Sequence, residues 1–78
     1  MSNQLLKSIS VGNLTEYFEY LDRLRESGVT NMYGAVSYLI RVYPGMTKQE
    51  ARAVLVAWME SFSNSLPPGD RVAKALEG

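Results

Sequence analysis

Apolar residues recur at spacings of three and four through most of the chain, and no stretch alternates with period two over a strand's length, so the pattern predicts an all-α fold. Asn13, followed three residues later by Glu16, fits an Asx form of the capping box and predicts a first helix over residues 14–27. Leu14, Tyr17, Phe18, Leu21 and Leu24 form its apolar stripe; Glu16, Glu19, Asp22, Arg23 and Glu26 cover the other side, and Gly28 is placed to end it. Thr30 or Asn31 can cap a second helix over 31–43, with Met32, Val36, Leu39, Ile40 and Tyr43 on one stripe and Tyr33, Ala35, Tyr38 and Val42 elsewhere around it. A helix apolar on nearly all sides is usually buried on most of them, so this one is expected at the centre. Pro44 and Gly45 stop it.

Thr47 and Glu50 make a full capping box for a third helix over 48–63, whose inward face is Ala51, Val54, Leu55, Trp58 and Phe62. Ala53, Val56, Ala57 and Met59 lie away from that stripe and need cover, from the tail or from another chain. In the tail, Asp70 can cap a short helix bearing Val72, Ala73 and Leu76, expected to be marginal because isolated short helices are weak in water. The expected architecture is a compact bundle of three main helices in one domain, residues 1–78. Segments 1–12 and 64–78 flank it with room to be loosely ordered.

Composition narrows the chemistry. The 78 residues contain no cysteine and no histidine, which removes thiolate nucleophiles, Cys- or His-based metal sites and the usual neutral-pH general base. No nucleophile elbow, phosphate-cradling glycine loop or dinucleotide fingerprint is present. A non-enzyme without cofactor or metal is expected. Eight Lys plus Arg balance eight Asp plus Glu, so an anionic partner would have to be held by a local patch. The N-terminal stretch is too short and interrupted for a signal peptide or membrane span, and the cytoplasm is the default compartment.

Two binding readings remain. Five tyrosines, one tryptophan and two phenylalanines are many for so small a core, and aromatics are enriched at protein-binding hot spots. Tyr33, Tyr38, Val56 and Met59 on the second and third helices are the candidate contacts with a host or viral protein, or with a second copy. The simpler explanation is that the tyrosine rings lie flat on the surface with wet hydroxyls. Alternatively, the short turn Pro44-Gly45-Met46 before a capped helix suggests a helix-turn-helix DNA binder. Lys48, Gln49 and Arg52 would contact DNA, aided by Arg41 and Lys7. Against it, the cationic footprint is small, and Arg41 stands where a supporting helix needs a small residue. A plain helical hairpin explains the same pattern. The carboxylates of the first helix read as a solvated face, with Glu19–Arg23 and Asp22–Arg25 pairs along it.

Residues 29–62 contain Val29-Thr-Asn-Met-Tyr-Gly-Ala-Val-Ser-Tyr-Leu and then Thr47-Lys-Gln-Glu-Ala-Arg-Ala-Val-Leu-Val-Ala-Trp-Met-Glu-Ser-Phe62. The pattern N-M-Y/F-G-A, a Y-L pair, an E-A-R block and W-M resembles small uncharacterised proteins encoded by tailed bacteriophages. The resemblance implies a phage or prophage origin and a site of action inside a bacterial host; it carries no activity and no functional residue. Within the shared pattern, capping and packing account for Asn31, Gly34, Glu50 and Trp58. Arg52 has no such local reason and is the best single choice for a functional contact.

Overall fold

The computed structural model describes residues 3–28, 34–62 and 65–77, and these form five helices with no strand among them. They are α1 (Asn3–Lys7), α2 (Val11–Ser27), α3 (Ala35–Val42), α4 (Lys48–Ser61) and α5 (Pro68–Glu77). The all-α class holds, but the bundle is not one of three main helices: α5 is a fourth substantial element, and α1 adds a short fifth.

Helix α2 starts three residues before the expected position. Ser10, extended at φ −63° and ψ 150°, caps it by accepting the Asn13 N–H at 3.1 Å. Asn13 is therefore inside the first turn, and Ser10 takes the capping role expected of it. The helix ends at Gly28, whose φ of 69° is the left-handed conformation that glycine adopts without steric cost. Leu14, Phe18, Leu21 and Leu24 are buried as the stripe predicts, and Tyr17 is half-buried.

The second predicted helix corresponds to α3, which is shorter and more peripheral than expected. Of its eight residues only Ala35 and Leu39 are buried; Val36, Tyr38 and Ile40 are half-buried, and Val42 is 48% exposed. The central position belongs to α4, which packs against each of the other four helices. Thr30, Asn31, Met32 and Tyr33 lie outside the described residues, so the predicted cap and start of that helix do too.

The box that starts α4 is complete: Thr47 Oγ1 accepts the Glu50 N–H at 3.1 Å and Glu50 Oε1 accepts the Thr47 N–H at 2.9 Å. Ala51, Val54, Leu55, Ala57 and Trp58 are buried along it. A turn bonded from the Met46 N–H to the Tyr43 carbonyl (2.9 Å) joins α3 to α4 and drives Met46 into the core.

Helix α5 is a docked element, packed on both α2 and α4. Val72 is fully buried and Arg71 is 2% exposed. Ten residues would be marginal alone, and tertiary contact supplies what local propensity does not. Leu6 of α1 is also buried in the same core.

Candidate functional site

The capping box orients α4 so that its exposed positions fall on one stripe. Lys48, Gln49, Arg52, Val56, Met59 and Glu60 are all exposed, following the three- and four-residue spacing that stacks side chains on one helix face. The N-terminal part of this stripe is cationic, its middle is apolar, with Val56 44% and Met59 40% exposed, and Glu60 ends it. No helix among the described residues covers it, and Arg52 makes no ion pair among them. The stripe thus unites the apolar candidates Val56 and Met59 with the polar candidates Lys48, Gln49 and Arg52. Ala57, expected to share the uncovered surface, is buried, and Ala53 is half-buried.

The other predicted contacts are placed differently. Tyr38 on α3 is half-buried against the core, with the Arg41 guanidinium carbon 5.6 Å from its ring centroid, a cation–π distance. Arg41 is exposed at the last turn of α3 and Lys7 is exposed at the last turn of α1. Tyr33 lies outside the described residues.

The expected solvated face of α2 is corrected at Asp22. Neither Asp22–Arg25 nor Glu19–Arg23 forms an ion pair among the described residues; Asp22 pairs with Arg71 of α5 through both carboxylate oxygens. Arg71 Nη1 donates to Oδ1 at 3.0 Å, Nη2 donates to Oδ2, and Trp58 Nε1–H donates to Oδ1 at 2.9 Å. Arg71 Nε–H also donates to the Leu66 carbonyl at 3.1 Å. Burial pushes the Asp22 carboxyl up, but the hydrogen bonds from Arg71 and Trp58 and the charges of Arg71 and Arg25 outweigh it and hold its pKa below the usual value. Phe62 packs against Trp58 at 5.1 Å, with Arg25 at 4.6 Å and Arg71 at 5.3 Å from its ring. The local hint was the Trp58 indole N–H, which needs an acceptor when buried.

A second feature is a tyrosine cluster between α2 and the α3–α4 turn. Tyr17 and Tyr20 meet Tyr43 edge to face, with centroids 4.7 and 6.0 Å apart, and the Tyr43 hydroxyl donates to Glu16 Oε2 at 3.2 Å. Burial first, then the charges of Glu50 and Glu16, push the Tyr17 phenol up. Burial and Glu16 likewise raise Tyr43, with Arg23 opposing.

Among the described residues there is no group of three or more His, Cys, Asp or Glu side chains arranged to hold a metal, and no helix long and apolar enough to cross a membrane. Comparison with protein-family models, with curated proteins and with solved structures finds no match.

Proposed function

We propose that this chain is a small non-catalytic phage-type protein, working in the cytoplasm of a bacterial host as a binding module for a host or viral protein. The exposed stripe of α4 is its principal contact surface. The carrying observation is that Val56 and Met59 stand uncovered one turn apart on the helix that otherwise forms the middle of the core. Exposed apolar side chains at the centre of a polar stripe match the plan of protein interfaces, an apolar middle with a charged rim. Arg52 and Lys48 on one side and Glu60 on the other supply that rim. The phage resemblance of residues 29–62 supports the setting.

The test is a comparison of wild-type protein with Val56→Asp and Met59→Asp variants, each used to capture host proteins quantitatively, alongside sedimentation at several concentrations. A partner retained by wild type and lost by both variants supports the reading, as does self-association lost in the same way. Identical recoveries and no self-association would sink it.

A DNA-binding reading has one observation in its favour: Lys48, Gln49 and Arg52 are all exposed at the start of a helix that follows a tight turn. Two cations per chain are few for phosphate neutralisation, so this mode requires a dimer on paired half-sites. Fluorescence anisotropy with labelled duplex at low and near-physiological salt decides it. Salt-sensitive binding that Arg52→Ala weakens would favour DNA, and no binding at low salt would remove it.

A further inference from the structure

An open cleft of about 470 Å³ lies between the elbow joining α1 to α2 and the turn joining α3 to α4. Its size is within the range of about 300–1,000 Å³ typical of ligand sites. Ile9 and Met46 give it apolar contact, Tyr17 and Tyr43 give it two aromatic rings, and Glu50 gives it a carboxylate; no lysine or arginine lines it. The rings are fixed against each other and by the Glu16 bond to Tyr43. Glu50 uses Oε1 for the capping box, and among the described residues Oε2 accepts no hydrogen bond. An ionised carboxylate has about four acceptor positions, so one oxygen is left to take a donor from outside.

We propose that this cleft receives an arginine side chain presented by a partner protein, its guanidinium against Tyr17 and Tyr43 and its N–H groups on Glu50. A guanidinium is planar, weakly hydrated and able both to stack on an aromatic face and to fork onto a carboxylate, whereas an ammonium is compact and strongly hydrated. The cleft is open, so a strongly hydrated ammonium keeps its water there while a weakly hydrated guanidinium gives its water up more readily, and a partner's surface around the side chain adds to the exclusion. The local field has the matching sign, since the charges of Glu50 and Glu16 both oppose ionisation of Tyr17. Arg23, the one cation bearing on Tyr43, is outside the cleft lining. The site is independent of the α4 stripe, because Lys48, Arg52, Val56 and Met59 do not line it.

The test uses the full chain, nitrogen-15 labelled, titrated to millimolar concentration with acetylated and amidated Gly-Arg-Gly, Gly-Lys-Gly and Gly-Gln-Gly peptides. Amide shifts are expected to concentrate at Asn13, Tyr17, Tyr43 and Glu50, with affinity falling from arginine to lysine to glutamine. Glu50→Gln keeps the capping box, because glutamine completes it as glutamate does, and is expected to weaken the arginine peptide roughly fivefold with Trp58 emission unchanged. Val56→Ser, on the other surface, should leave the titration as it is. No shifts, shifts spread evenly over the chain, lysine or glutamine peptides binding as well as arginine, or an unaltered affinity in Glu50→Gln would each overturn the proposal.

Discussion

Arg71 on α5 and Asp22 on α2 stand 49 positions apart in the chain and meet through a two-pronged ion pair. The Arg71 side chain is 3% exposed and that of Asp22 25%, so the pair is far less screened than a surface bridge. Trp58 adds a third hydrogen bond to the same carboxylate, which ties α2, α4 and α5 together at one point.

Removing Arg71 leaves the Asp22 carboxylate, 25% exposed, with only the Trp58 N–H and the charge of Arg25 to compensate it; breaking a buried pair typically costs up to about 3–5 kcal/mol. A chain of this length has a total stability of about 4–12 kcal/mol, so Arg71→Ala is expected to lose a large share of it. Urea unfolding followed by the emission of Trp58, the single tryptophan, measures the loss. A change below about 1 kcal/mol would place the pair with ordinary surface bridges.

The same pair sets an acid limit. The folded-state pKa of Asp22 is lowered, so its contribution is fully present above the unfolded carboxyl value of about 3.9 and fades as pH falls through the lower folded value. Wild-type stability should therefore drop from about pH 4 downward, and Asp22→Asn should be less stable at neutral pH with a shallower acid limb. Urea midpoints measured at a series of pH values check both the sign and the window.

Two valines on α4, two residues apart, should differ sharply in how much truncation costs. Val54 is fully buried and Val56 is 44% exposed. Truncating Val54 to alanine removes two methyl groups from the core and leaves a cavity, for about 2–3 kcal/mol. Val56→Ala should stay within about 0.5 kcal/mol. Chemical denaturation of the two variants side by side checks this, and a large loss at Val56 would mean the stripe is structural after all.

How far the sequence could lead is clearest from particular residues. The Thr47–Glu50 box and the stripes of α2 and α4 were readable because capping and helical periodicity are local signals, and the exposed set from Lys48 to Met59 follows from the same periodicity. Ser10 was missed as a cap because Asn13 carries an equally good capping side chain three residues later, and only the fold shows which one is used. The docking of α5 was not readable: Arg71 and Asp22 each look like surface charges, and no spacing rule links residues so far apart. The tyrosine-lined cleft is invisible for the same reason, because its walls come from the α1–α2 elbow, α2, the α3–α4 turn and the first turn of α4 together.

Two glycines give a last contrast that rests on backbone conformation alone. Gly12, the second residue of α2, has no positive φ, and a Cβ built there meets nothing within 4 Å. Alanine fits that conformation and has fewer unfolded states to lose, so Gly12→Ala should stabilise by about 0.4–1 kcal/mol. Gly28 also has open space around it, but its φ of 69° strains any residue with a Cβ, and Gly28→Ala should cost about 1–2 kcal/mol. For a domain of this size each kcal/mol shifts the melting temperature by about 4–8 °C, so thermal melts resolve both effects. Equal shifts of the same sign would show that the left-handed end of α2 is not what stops the helix.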